Sequence, residues 1–304
     1  MMKKMLSVLL AGAVLAGAPL FAPGAAGMAA RPYETLLNPA AEVLAASIDQ
    51  STLTYDVSRF QLPEGARSLV VVEGFAVNGG RDTYREGYVS DPGRWNRARV
   101  TAFYRDSDGS AWIPVVQSAA VMGWSGMSNA RHSGDGSTPI GLFKMDTPFG
   151  RRPAESGFPE NYQEIMIADH NQYWSDETNC LEVNGDFSVQ SGERLYEDWA
   201  KGIYSYCLNS GYNKNNAVPG SGSALFLHCT KEGKPSTAGC VAMEEEAMKA
   251  ILRLYALGPA YVAQAPAGTF EGIYGAYSET GQSPAGEFPA SSLSLPETPL
   301  TVLY

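Results

Sequence analysis

From Ser68 onward the chain alternates short runs of β-branched and aromatic residues with turn-forming clusters, and this pattern restricts it to a mainly β fold. SLVVVEGFAV (68–77) and ARVTAFYRDSDGSAWIPVVQSAAVMG (98–123) are bounded or interrupted by Asn-Gly-Gly and Asp-Ser-Asp-Gly, which is hairpin chemistry. The same texture returns in YSYCLN (204–209) and SALFLH (223–228). Residues 125–180, rich in Gly, Pro, Asn and aromatics, read as long ordered loops with one short helix. The spacing predicts a helix in EEEAMKAILRLYALG (244–258), with Met248, Ile251, Leu252 and Tyr255 on one face, acids in its first turn and a Gly258-Pro259 stop. AYVAQA (260–265) follows as a closing strand.

The two ends differ from this middle. Residues 1–30 open with Lys3 and Lys4, continue through an apolar Ala/Leu/Val/Gly run and end in small residues, which is the pattern of a cleaved signal peptide. An exported protein with no membrane span in its mature form is therefore expected. Residues 31–66 read as an N-terminal extension with one short helix behind Asn38, residues 67–264 as the folded domain, and residues 265–304 as a flexible Pro/Ser/Gly-rich tail. With 304 residues and 44% hydrophobic content the chain can build one sizeable core. Its formal net charge of −10 argues against nucleic acid as a partner.

Chemistry concentrates in GSALFLHCTKEGKPSTAGCVAM (222–243), which holds one of only three histidines and two of four cysteines. If 223–228 is a strand, Ala224, Phe226 and His228 face one side, and Leu225, Leu227 and Cys229 the other, so Cys229 points into the core. Cys240 follows Gly239 in a turn where glycine permits close backbone approach and leaves N–H groups free to face an anion. A cysteine nucleophile needs a base, for which His228 is placed, and an oxyanion hole, for which the turn is placed. The alternatives are a metal site or two ordinary core residues. Zinc would need three or four ligands, and neither CxxC nor HxxxH spacing occurs, so no metal and no cofactor are expected. His132 and His170 are assigned to solvent, and Ser223 to a turn. Tyr212, Asn213 and Thr237 are candidates for substrate contact.

GSALFLH, PSTAGCVAM and the helix behind them resemble the catalytic end of the YkuD-type L,D-transpeptidases, in the subgroup whose block reads Thr-x-Gly-Cys-Val-Ala. A second block, ARHSGDGSTPIGLFKM (130–145), resembles the Gly-Asp-Gly-x-Thr-Pro-x-Gly-x-Phe strand entry of the same subgroup. The resemblance spans roughly 68–264 and implies a mainly β sandwich or barrel with one or two short helices. It implies Cys240 as nucleophile, His228 as proton acceptor and donor, the backbone at Gly239 as oxyanion hole, and the Cys229 carbonyl as the group orienting His228. The chain departs from the family at Ala238, where a histidine is usual, and at Ala242, where arginine is frequent. With Cys240 a free thiol and Cys229 facing the core, Cys180 and Cys207 remain available for one disulfide.

The expected activity is that of an exported, cell-wall-associated bacterial acyltransferase acting on peptidoglycan stem peptides, donor and acceptor, through a Cys240 thioester. It would form cross-links in cell-wall biogenesis and cell-shape maintenance, and carbapenem-type inhibitors would acylate it. Two alternatives are L,D-carboxypeptidase action, with water as acceptor, and a non-catalytic cell-wall binding module.

Overall fold

All seven residues of β1 (Ser68–Gly74) are buried. Alternation sends Val70 and Val72 into one hydrophobic cluster and Leu69 and Val71 into another on the opposite face, so the strand is packed on both sides. The coordinates, a computed structural model, describe residues 48–165, 172–182, 192–196 and 202–296. The segment 1–30, expected to be a signal peptide, and the stretch 38–47 of the helix expected behind Asn38 lie outside the described residues.

The sheet around β1 contains β2 (Arg97–Tyr104), β3 (Ile113–Val121), β4 (Gly141–Lys144), β5 (Asp146–Gly150), β6 (Gln163–Glu164), β7 (Cys207–Asn209), β8 (Phe226–Cys229), β9 (Val241–Met243) and β10 (Ala260–Pro266). Their order is β4-β10-β1-β2-β3-β9-β8-β7-β5-β6. Strand β4 is at one edge and β5 is next to the other edge strand, yet Met145 alone separates them in sequence. Consecutive Cα atoms are about 3.8 Å apart, so the two ends of the sheet must meet, and the sheet curls back on itself. Met145 is 2% exposed and donates its N–H to the Ala260 carbonyl at 3.0 Å, which fixes this junction.

The fold is thus mainly β, with two α-helices among the described residues, α1 (Gly80–Glu86) and α2 (Glu245–Tyr255). Helix α2 falls where the periodicity placed it. Met248, Ile251 and Leu252 are buried together with Val70, Leu227 and Cys229 in the larger core, and Tyr255 packs at its margin. The loop 105–112, which contains the Asp-Ser-Asp-Gly cluster, joins β2 and β3 as an antiparallel pair. The Asn-Gly-Gly cluster does not close a tight hairpin: Gly79 and Gly80 open α1 instead, held by Asn96 Oδ1, which accepts the N–H groups of Asn78 and Gly79 at 2.9 Å each.

The flanks are not loose extensions. Of the segment expected to be a flexible tail, Ala265, Ala267, Phe270, Ile273 and Tyr274 are buried, and the last three join Leu69, Val71, Phe103 and Tyr261 in the second core. Phe60 and Tyr55, from the other flank, meet Phe270 at ring-centroid distances of 6.1 and 5.0 Å. The spacing of Phe270, Ile273 and Tyr274 is amphipathic, but over too few residues to stand out among glycine and proline. Beneath these rings Arg99 forms a bidentate pair with Glu73 at 2.6 and 2.9 Å, both side chains almost fully buried. Glu73 also accepts the Thr54 N–H and hydroxyl, and Arg99 donates to the Thr52 carbonyl, so the pair ties the N-terminal flank to the sheet. Phe270→Ala should destabilise the protein by about 3 kcal/mol, read as a lower urea midpoint at unchanged slope; an unchanged midpoint would mean the C-terminal flank does not contribute to the core.

Candidate active site

Strands β8 and β9 are adjacent and parallel, pairing Leu227 with Val241, His228 with Ala242 and Cys229 with Met243. A parallel pair obliges the chain to return to the end from which it started. The loop over residues 230–240 makes that return and delivers Cys240 immediately before β9, beside Phe226. Leu225, Leu227 and Cys229 belong to the α2-facing core, whereas Ala224, Phe226, Cys207 and Cys240 form a separate cluster on the other face. The alternation read from sequence therefore holds, although β8 begins only at Phe226, because Ala224 has φ of +54°. His228 and Cys240 share one face and line one cavity of about 880 Å³.

The turn before Cys240 needs its glycine. Gly239 has φ of +137°, and a Cβ there would lie 2.7 Å from the Ser137 carbonyl oxygen and 3.1 Å from Leu225 Cδ2. This close approach joins the two blocks singled out in the sequence. Ser137 is itself fixed by Asp135, which accepts the His132 and Ser137 N–H groups and the Ser137 hydroxyl at 2.8 to 2.9 Å. Thr237 braces the turn internally: its hydroxyl donates to the Cys240 carbonyl at 2.6 Å and accepts the Gly239 N–H at 3.1 Å. The Gly239 N–H expected in an oxyanion hole is thus engaged within the turn. The Phe226 N–H donates to the sulfur, and the Cys240 N–H adds a smaller pull that lowers the pKa of its own thiol.

His228 Nδ1 lies 2.8 Å from the Cys229 carbonyl oxygen, so that nitrogen carries the proton and Nε2 is left as the basic one. The Ile203 carbonyl also faces the ring, and Tyr204 meets it edge-on at 5.4 Å and 89°. Burial lowers the His228 pKa to about 4 against these two carbonyls, which raise it. Burial likewise pushes the Cys240 thiol up to about 12, with the Phe226 N–H and Arg131 pulling it back and Glu193 adding to the rise. Cys240 Sγ lies 3.4 Å from both the Ala224 carbonyl and the Phe226 amide nitrogen, and no hydrogen bond joins it to His228. At neutral pH the pair is a neutral imidazole and a neutral thiol. Glu193, in the same cavity wall, is raised to about 7 by burial despite the hydrogen bond it accepts from Tyr204.

Other expectations fare differently. Cys180 and Cys207 do not pair: all four cysteines are free, Cys180 donates to the Thr178 carbonyl at 3.4 Å, and Cys207 is buried opposite His228 in register. The two belong to different sheets, since Cys180 only leads into the short strand Leu181–Glu182 of a three-stranded sheet. Tyr212 is buried beneath the cavity, its hydroxyl donating to the Ser221 carbonyl. Asn213 lines the cavity, but its amide serves the 213–222 loop, donating to the Val218 and Gly222 carbonyls and accepting the Val218 N–H. Thr237 lines the cavity, Ala238 is exposed, and Ala242 lies beside His228. His132 is 75% exposed, Ser223 donates to Asp176, and His170 lies outside the described residues. Sequence reasoning passed over Arg131, Glu193, Tyr204 and Ser236, all in the cavity wall. Among the described residues no cluster of His, Cys, Asp and Glu could hold a metal ion.

The family model of the YkuD L,D-transpeptidase catalytic domain matches residues 95–262, more than half of the chain, and the chain belongs to that family. No curated protein matches it. Among solved structures it is similar to the helical cell shape determining protein Pgp2 from Campylobacter jejuni, at 10% identity and a TM-score of 0.34. That match covers 74% of this chain, which spans 55% of the length of Pgp2.

Two outcomes follow from this geometry. Gly239→Ala should displace Cys240 and change the rate at which iodoacetamide alkylates it, followed by mass spectrometry; an unchanged rate would show that the turn tolerates a Cβ. Glu193 holds its proton in the folded state between about pH 4.5 and 7, where the unfolded chain has lost it. Its contribution is therefore complete below that window and lost as pH rises through it. Relative to Glu193→Gln, the wild type should lose on the order of 3 kcal/mol across the window, measured by urea unfolding at each pH; parallel curves would refute the burial of a protonated carboxyl.

Proposed function

We propose that this protein is an exported peptidoglycan L,D-transpeptidase in which Cys240 is the nucleophile and His228 its proton partner. The observation that carries the reading is the delivery of both side chains to one cavity by adjacent parallel strands, with the His228 tautomer set by the Cys229 carbonyl. Residues 67–264 form the catalytic domain in this reading, and residues 1–30 a signal peptide.

In the first step Sγ turns from the Ala224 carbonyl towards His228 Nε2 and attacks the carbonyl carbon between the L-centre of a diamino acid and D-Ala. The thiol proton passes to Nε2, and the carbonyl oxygen takes the negative charge, facing the Cys240 N–H. The C–N bond then breaks, His228 returns the proton to the departing amine, and a thioester remains on Cys240. An acceptor amine attacks the thioester, loses its proton to His228, and the thiol is regenerated when that proton returns to sulfur. Starting from neutral partners suits this sequence, because His228 is already a free base at any pH well above 4.

The purified protein should release D-Ala from a stem tetrapeptide and produce a cross-linked dimer, followed by mass spectrometry, and a carbapenem should leave one adduct on Cys240. Cys240→Ala should give neither product nor adduct at an unchanged melting temperature. Turnover retained by Cys240→Ala would overturn the assignment. Tripeptide without dimer would identify water as the acceptor, and no D-Ala release with no adduct would leave a binding module.

A further inference from the structure

We infer that Asn179 is a positioning residue for Cys240, acting on the sulfur through the backbone of Ala224. The inference rests on the reading of Cys240 as nucleophile and adds what fixes its sulfur between turnovers. Two hydrogen bonds in series make the link. Cys240 Sγ donates to the Ala224 carbonyl at 3.4 Å, and the Ala224 N–H donates to Asn179 Oδ1 at 3.1 Å. Ala224 lines the cavity, whereas Asn179 lies behind it and is 1% exposed.

Ala224 is the unusual residue of the pair. Its φ of +54° lies in the left-handed region, which a Cβ disfavours. Asparagines at positive φ, Asn179 and Asn213 among them, carry a polar side chain that can bond locally in that conformation, and alanine does not. The hold on Ala224 therefore comes from outside, and Asn179 Oδ1 supplies it at the N–H. With that N–H pinned, rotation about φ would swing the Ala224 carbonyl away from the sulfur.

Asn179 is itself fixed. Its Oδ1 also accepts the Trp174 Nε1–H at 2.7 Å, and its Nδ2 donates to the Tyr212 and Asn213 carbonyls at 2.9 and 3.1 Å. Two N–H groups on the oxygen and two carbonyls on the nitrogen leave one orientation for the amide, with its bonding capacity filled. Trp174, in the three-stranded sheet, packs its ring on Phe226 at 4.7 Å, and the Phe226 N–H is the second partner of Sγ at 3.4 Å. Asn213 is anchored from the C-terminal flank, donating its N–H to the Gly281 carbonyl at 2.7 Å and accepting from Gln282 Nε2 at 2.9 Å. One buried amide thus ties the backbone beside the nucleophile to two separate parts of the fold. The sulfur meets a carbonyl on its proton and an N–H on its lone pairs, and attack needs one turn from that place towards His228. Without Asn179, Ala224 can leave the left-handed region, and the thiol samples several rotamers.

The S–H stretching band of Cys240 reads this contact, because a donated S–H absorbs at lower frequency than a free one. Subtracting the infrared spectrum of the matching Cys240→Ala protein isolates it from the other three cysteines. The band should shift to higher frequency in Asn179→Ala. Adding Ala224→Gly should move it back, since glycine takes a positive φ without strain. A general loosening of the loop predicts the opposite, because glycine would loosen it further. Asn179→Asp keeps the shape and the accepting oxygen and should leave the band in place, which keeps the assignment testable if Asn179→Ala does not fold. On a stem tetrapeptide, Asn179→Ala should lower kcat by about 10-fold at unchanged KM. An unmoved band in Asn179→Ala, a band that Ala224→Gly does not restore, a shifted band in Asn179→Asp, or an unchanged kcat would each overturn the positioning role. A band that moves and recovers in a protein that turns over no stem peptide would keep the hold on the sulfur and remove the transpeptidase reading.

Discussion

A single residue between β4 and β5 forces the ends of a ten-stranded sheet together, and the architecture of the site follows from that closure. The chain leaving β3 passes over the curled sheet towards β4, and on the way lays Ser137 against Gly239 and pairs Gly123 with Thr237. The loop carrying Arg131 and the turn carrying Cys240 thereby become two walls of one cavity, although they lie more than a hundred positions apart in sequence. Glycine stands at both closest approaches for the same reason: a Cβ on Gly123 would come within 2.2 Å of the Gly136 carbonyl oxygen, as one on Gly239 would crowd Ser137.

The features legible in the sequence were those governed by local period and by short spacing. Alternation through Leu225, Phe226, Leu227, His228 and Cys229 was enough to separate the two faces of β8, and the apolar stripe of α2 identified its buried side. The Gly239-Cys240 turn was recognisable because glycine before a cysteine permits the close backbone approach found at Ser137. What escaped was set by distant contacts. Phe270 and Tyr274 join the core only because β10 brings them beside β1, and Cys180 and Cys207 had the count for a bridge but not the location. Arg131 read as one basic residue in a glycine-rich loop, and nothing local announces that its guanidinium is buried. Ser236, a serine after a proline in a turn, looks like any other loop hydroxyl.

The electrostatics of the cavity come from burial more than from charge pairing. Desolvation lowers His228, raises Cys240 and raises Glu193, and in each case outweighs the hydrogen bonds that oppose it. His228 and Cys240 therefore coexist in their neutral forms at neutral pH, Glu193 joins them below about pH 7, and Tyr204 links two of the three, donating to Glu193 and packing its ring edge-on against His228.

A thiol held protonated has a consequence outside its own reaction. Peroxides and related oxidants attack the thiolate, and the rate of conversion to sulfenic acid follows thiolate character and exposure. With its pKa pushed up to about 12 and only 8% of its surface exposed, Cys240 presents almost no thiolate to solvent. The features that keep this sulfur quiet between encounters also shield it from oxidative loss, and no neighbouring cysteine is needed to protect it.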